Sequence, residues 1–229
     1  MPMRPSEMTG RHARTYLLRR SNVARNRDPG KTLILYRPAA LASRALVRVA
    51  FRPCVRGIEH LPRSGGYVVA PNHLSGFDAF AVAYPLYGRN LRNMGKNQLF
   101  RRTFVGPLVR SLGAFPAEAE EGLPGGVELA AALARAGDVI VIFPTGARRR
   151  SDKQHRPRTG AARTALEAGV PLVPAALRGT DGWRRLERWQ IAFGQPVPLD
   201  DLSDEDAARA SREATRRLSE AIGSLERAL

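Results

Sequence analysis

Strand and helix signals alternate along most of this chain. That alternation predicts an α/β fold: a single domain with a mostly parallel central sheet flanked by helices, preceded by an N-terminal basic amphipathic helix. Three observations carry the prediction. Short apolar runs, Gly66-Tyr67-Val68-Val69-Ala70 the clearest, read as buried strands. Longer stretches with apolar residues at helical spacing lie between them. The chain has 229 residues and is 43% hydrophobic, enough for one large domain with its own core. No internal repeat is visible.

The elements follow in order. Met1 to Lys31 is rich in Arg, shows little periodicity and reads as a flexible basic tail over 1–31. Its Gly30-Lys31-Thr32 has the ending of a phosphate-binding loop, but the first glycine such a loop needs would fall at Arg25. Within 32–56, Pro38 to Phe51 reads as a helix. Leu41, Ala42, Ala45, Leu46, Val49 and Ala50 share one broad face, and Arg37, Arg44, Arg48 and Arg52 form a narrow stripe. This suits a helix lying in a membrane interface, and equally one packed on its own domain. The remaining domain, 57–229, carries strands expected at Tyr67–Ala70, Leu91–Met94, Val139–Phe143, Pro171–Leu177 and Trp189–Phe193. Helices are expected at Phe77–Leu86, Gln98–Leu112, Gly126–Ala136, Arg158–Ala168 and Asp204–Leu229. Ser203 with Asp206 forms a capping-box variant for the last of these. Its stripe of Ala207, Ala210, Ala214, Leu218, Ala221, Leu225 and Leu229 reads as a packing face.

The formal net charge is +16, so anionic partners are expected: phosphorylated molecules, acidic carriers, nucleic acid or anionic lipid. Nearly all the cations are Arg, with Lys only at Lys31, Lys96 and Lys153. Cys54 is the single cysteine, which excludes an internal disulfide and a cysteine-based metal site. No apolar stretch is long enough to span a bilayer, and the basic N-terminus lacks a signal-peptide core. A protein peripheral to the cytoplasmic side of a membrane is the expectation.

One segment points to chemistry. In Asn72-His73-Leu74-Ser75-Gly76-Phe77-Asp78, a histidine sits at a strand end with a carboxylate in the next turn. His12, His60 and His155 lack that setting. A neutral imidazole can accept a proton near pH 7, and a carboxylate on its far nitrogen fixes the tautomer, so His73 and Asp78 are a candidate general base and its orienting partner. The pair alone occurs often by chance.

Three further blocks change the odds. They are Gly95-Lys96-Asn97-Gln98-Leu99-Phe100 running on to Gly113-Ala114-Phe115-Pro116, then Phe143-Pro144-Thr145-Gly146-Ala147-Arg148, then Val170-Pro171-Leu172-Val173-Pro174-Ala175 running to Gly179. With the first block they resemble, in order and spacing, the PlsC-like acyltransferases of the lysophosphatidic acid and glycerol-3-phosphate type. The likeness spans roughly Gly57 to Pro198. It implies acyl transfer from a thioester, acyl-CoA or acyl-carrier protein, to a hydroxyl of a lipid acceptor, with no bound cofactor or metal. His73 and Asp78 would be catalytic. Asn72, Ser75, Lys96, Thr145, Gly146 and Arg148 would bind substrate, Lys96 and Arg148 as phosphate-binding cations. Backbone amides after His73 are candidate oxyanion donors, and the helix start at Thr159-Gly160-Ala161 is a candidate for the same phosphate.

Two positions depart from the family pattern. Thr145 stands where a Glu is usual, and Ala119 where an Arg is usual. Both belong to acceptor binding in the family, so the chemistry is better supported than the acceptor. The leading acceptor is 1-acylglycerol-3-phosphate; another lysophospholipid or a glycolipid would use the same base. A non-catalytic basic protein binding membrane or nucleic acid is the alternative from another class. Against nucleic acid stands the lack of zinc-finger, ribonucleoprotein or basic-zipper motifs.

Overall fold

The computed structural model describes residues 44–95, 98, 114–116, 125–145, 157–202 and 205–229. The expected tail over 1–31, the first part of the basic helix up to residue 43 and, apart from Gln98, the expected helix Gln98–Leu112 lie outside these residues.

The described strands are β1 (Cys54–Arg56), β2 (Tyr67–Pro71), β3 (Leu91–Gly95), β4 (Phe115–Pro116), β5 (Val139–Val141), β6 (Leu172–Arg178) and β7 (Gln190–Phe193). They form one sheet in the order β1-β7-β6-β2-β5-β3-β4. Every neighbouring pair is parallel except β6 with β7, where Ala175 faces Phe193 and Arg178 faces Gln190. In the centre, Val68 of β2 pairs with Ile140 of β5 on one side and Leu172 of β6 on the other. The helices are α1 (44–51), α2 (Asp78–Ala83), α3 (Gly126–Arg135), α4 (Gly160–Ala168) and α5 (Ala207–Ala228).

The continuous apolar character of β2 has a direct cause: both faces of the sheet are covered. Val68 and Ala70 point to one side, where they pack with Ile140 and Leu172 beneath α3, α4 and α5. Tyr67 and Val69 point to the other, with Val173, Ile191, Phe193, Ala81 and Val82 of α2, and Phe51 of α1. Burying a Val or Leu side chain contributes about 1.5–3 kcal/mol each, so the central strands hold both layers to the sheet. Gly66 permits the closest approach: a Cβ there would lie 1.9 Å from the Ala134 carbonyl oxygen at the end of α3.

Several differences from the sequence-based expectations have physical reasons. β1 and β4 are three and two residues long, too short to show a period. The sheet therefore begins at Cys54, upstream of Gly57. α5 starts at Ala207, and its described cap is Asp206, whose carboxylate accepts from the Ala208 and Arg209 amides at 3.1 and 3.2 Å; Ser203 lies outside the described residues. The buried face of α5 is Ala210, Ser211, Ala214, Thr215, Leu218 and Ile222, while Ala207 is exposed. The hydroxyls of Ser211 and Thr215 donate back to the carbonyls of Ala207 and Ser211 at 2.6 Å each. That satisfies them internally and lets two polar residues face the core.

In α1, Phe51 is buried and stacks on Trp189 with centroids 4.1 Å apart, and Val47 and Ala50 pack beside it. Leu46 and Val49 are 68% and 77% exposed. The apolar face expected from the sequence is thus divided: Ala50 turns to the domain, Leu46 and Val49 outward.

Candidate active site

The site grows from the C-terminal end of β2. Parallel strands leave their carboxyl ends at one edge of the sheet, where loops can carry chemistry. β2 ends at Pro71, which has no N–H to give the ladder, and Asn72 then clips the chain's exit to β6. The Asn72 amide donates to the Leu177 carbonyl at 3.0 Å and its carbonyl accepts the Leu177 amide at 2.7 Å. It also donates to Glu226 Oε1 in α5 at 2.8 Å.

The next residues wrap around Asp78. Its side chain is fully buried as α2 begins. Asp78 Oδ2 accepts from His73 Nδ1 at 2.6 Å and from the amides of Leu74 and Ser75 at 2.6 and 2.9 Å. Asp78 Oδ1 accepts from the Thr180 hydroxyl at 2.6 Å, with the Ser75 hydroxyl farther off at 3.4 Å. Ser75 Oγ in turn accepts the Phe77 amide at 3.0 Å. Oδ2 already accepts two backbone N–H groups, so in this geometry His73 Nδ1 is the donor to it and Nε2 keeps its lone pair. The imidazole is 19% exposed and stacks on Phe143, ring centroids 4.2 Å apart. The arrangement can accept a proton from a hydroxyl at Nε2 and stabilise the resulting imidazolium through Asp78.

The expected site residues divide in three. His73 and Asp78 come together in one hydrogen bond. Asn72 and Ser75 stand beside them with side chains engaged in the protein's own network, Asn72 to β6 and α5, Ser75 to Asp78 and Phe77. Thr145 lies just past β5, half-buried and engaged in interactions of its own. Lys96, Gly146 and Arg148 lie outside the described residues, as do Ala119 and most of the basic loop. The amides of Leu74, Ser75 and Phe77 turn inward to Asp78 and Ser75, so these three are not available to an oxyanion. The start of α4 does lie near the third block: the Arg158 amide donates to the Pro144 carbonyl at 2.8 Å, and Thr159 makes no side-chain cap. Among the described residues, no group of three or more His, Cys, Asp or Glu could hold a metal ion.

Two contributors escaped the sequence reading. Phe143 was visible in its block, yet nothing showed that its ring would lie on His73. Thr180 follows Gly179, whose φ of +82° admits the turn that delivers the hydroxyl to Asp78. A Cβ at Gly179 would lie 2.4 Å from the Arg188 carbonyl oxygen.

A mostly parallel α/β sheet carrying a His–Asp pair at a strand's carboxyl end is an arrangement that can accept a proton from a bound group. Comparison with known proteins gives the family. The Acyltransferase family model matches residues 52–178, more than half of the chain, and the chain belongs to that family. It is similar to the 1-acyl-sn-glycerol-3-phosphate acyltransferase of Bacillus subtilis, 25% identical over 198 residues that cover 85% of this chain and 98% of that one. The 1-acyl-sn-glycerol-3-phosphate acyltransferase of Streptococcus pneumoniae is 26% identical over 59% of this chain and 52% of its own length. The human 1-acyl-sn-glycerol-3-phosphate acyltransferase alpha is 26% identical over 66% and 57%. The fold matches the crystal structure of PlsC from Thermotoga maritima with a TM-score of 0.57, at 19% identity, over 79% of this chain and 78% of that one.

Proposed function

We propose that this acyltransferase moves a fatty acyl group from an acyl thioester to a hydroxyl of 1-acylglycerol-3-phosphate. The observation that carries the mechanism is the 2.6 Å bond from His73 Nδ1 to Asp78, which leaves Nε2 to act on the acceptor. In this reading the acceptor hydroxyl gives its proton to Nε2 as its oxygen attacks the thioester carbonyl. The tetrahedral adduct expels the thiolate, which takes the proton from His73 and leaves as the free thiol. The products are an ester and a thiol, and no acyl-enzyme forms. The acceptor's name comes from the relatives in Bacillus subtilis and Streptococcus pneumoniae. A phosphate on the acceptor has candidate partners in Lys96, Arg148 and the uncapped start of α4 beside Pro144.

In this reading the enzyme works on the cytoplasmic face of a membrane, where its acceptor resides. Support comes from α1, with Leu46 and Val49 outward and Arg44 and Arg48 exposed beside them. Phe80, Trp183 and Leu186 are also exposed apolar residues. Apolar residues with neighbouring arginines suit an anionic bilayer surface.

Purified protein given labelled acyl-CoA or acyl-carrier protein, with glycerol-3-phosphate, 1-acylglycerol-3-phosphate and other lysophospholipids, should acylate 1-acylglycerol-3-phosphate fastest, and His73→Ala should abolish transfer. Preference for another acceptor moves the assignment to that lipid. No transfer to any acceptor rejects the function, and activity in His73→Ala rejects the mechanism. Flotation with vesicles containing anionic lipid should decline as salt rises; salt-independent flotation, or none, rejects the membrane role.

A further inference from the structure

We propose that Thr180 is a positioning residue for the proton-accepting pair: its hydroxyl holds the Asp78 carboxylate in the one orientation that keeps His73 ready. The inference rests on the reading of His73 as the base.

The two carboxylate oxygens are held unequally. Oδ2 has three close donors, His73 Nδ1 and the amides of Leu74 and Ser75. Among the described residues Oδ1 has one close donor, the Thr180 hydroxyl at 2.6 Å; the Ser75 hydroxyl stands off at 3.4 Å. All the donors to Oδ2 come from the 73–75 turn itself. Among the described residues, Thr180 alone ties the carboxylate to another part of the sheet, the turn that leaves β6. Thr180 is fully buried, so water cannot easily replace its hydroxyl. Its own position is set twice: by the left-handed turn at Gly179, and by Asn72, which bonds to Leu177 three residues earlier. Thr180 thus fixes the carboxylate's rotation against a rigid strand.

The hydroxyl bonds to Asp78 Oδ1, so its contribution runs through Asp78. Removing it leaves a buried acceptor without its close donor. The expected loss is about tenfold to a hundredfold in kcat, with KM for donor and acceptor unchanged, because the contact matters to the proton transfer rather than to substrate binding.

The test compares Thr180→Val, which keeps the shape and removes the hydroxyl, with Thr180→Ser, which keeps the hydroxyl. Two readouts are taken on the full chain: steady-state kinetics with labelled acyl-CoA and the preferred acceptor, and the proton resonance of His73 Nδ1–H, identified by its absence from His73→Ala. Thr180→Val should lose kcat as stated, and its Nδ1–H resonance should move upfield and broaden. Thr180→Ser should restore both. If Thr180→Val does not fold, Thr180→Cys serves in its place, near in size with a weak donor. An unchanged resonance and kcat in the folded variant overturn the proposal. So does a serine variant as impaired as the valine one, which would assign the effect to packing of the methyl group. Failure of the wild-type protein to transfer an acyl group to any acceptor counts against the function, and the resonance then still decides the role of Thr180.

Discussion

Asp78→Asn asks what the charge on Asp78 contributes, apart from its geometry. An amide at this position has two orientations. With its oxygen at the Oδ2 site it accepts from the Leu74 and Ser75 amides and from His73 Nδ1–H, as the carboxylate does. Its NH2 then faces Thr180, whose hydroxyl can rotate to accept. In the flipped orientation the NH2 meets two backbone N–H groups at 2.6 and 2.9 Å that cannot reverse. The protein's own donors therefore select the first orientation, and the imidazole tautomer is retained. What is lost is the attraction between the carboxylate and the imidazolium formed on proton transfer. Two unit charges about 4 Å apart interact by about 4 kcal/mol at an effective dielectric near 20, or about a thousandfold in rate.

The assay is kcat with labelled acyl-CoA, accompanied by 15N shifts of the His73 imidazole, which report where its proton resides. The expected result is a fall in kcat of about a thousandfold with the proton still on Nδ1. In sites where the amide flips the tautomer, the loss reaches about 10⁴. A proton found on Nε2 would refute the orientation argument. A wild-type rate would refute the role of Asp78 altogether.

Other outcomes follow from the same geometry. Asn72→Ala leaves the Leu177 amide and carbonyl without their side-chain partner in a buried position, so urea unfolding should show a loss of about 2–5 kcal/mol. Gly179→Ala places a Cβ 2.4 Å from the Arg188 oxygen at a φ of +82°. It should destabilise by about 2 kcal/mol or more and, measured at a temperature where it remains folded, lower kcat as Thr180→Val does. On α5, hydrogen bonds from Arg216 and Arg217 hold the Glu213 carboxyl down from 4.5 to about 2. A carboxyl depressed by folding adds stability above its ordinary value and loses it as pH falls from 4.5 towards about 2. The group faces solvent, so the increment is small and fades with salt. Unfolding midpoints across that window should separate wild type from Glu213→Gln at low salt and converge at high salt.

What could be read from the sequence was what the chain writes locally. The central strands were legible because both faces are buried, which leaves unbroken apolar runs such as Tyr67 to Ala70. β1 and β4 were not, because Cys54-Val55-Arg56 and Phe115-Pro116 contain no unbroken apolar run of the kind Val139 to Val141 shows. The antiparallel pairing of β7 with β6 was equally hidden, because a strand's direction depends on the path between strands and leaves no mark in its own residues. The stripe expected on α5 holds neither Ser211 nor Thr215, which the structure buries, because back-bonding within the helix makes these hydroxyls compatible with the core.

The site divides along the same line, and the division explains why a base can be recognised more readily than its support. His73 and Asp78 are five residues apart, so one turn brings them together and spacing alone can suggest them. The partners that hold them are distant: Thr180 is 102 positions from Asp78, and Leu177 and Glu226 are 105 and 154 from Asn72. Each contact exists only because parallel pairing of β2 with β6, and packing of α5 near the strand ends, bring those residues to the same edge. A turn of seven residues is too small to bury a carboxylate by itself. The sheet must supply the wall behind it, and Thr180 belongs to that wall. A substitution that shifts β6 by a fraction of an ångström near Leu177 should therefore reach His73 through two routes, Asn72 and Thr180, even though β6 carries no residue that touches the imidazole through a described hydrogen bond.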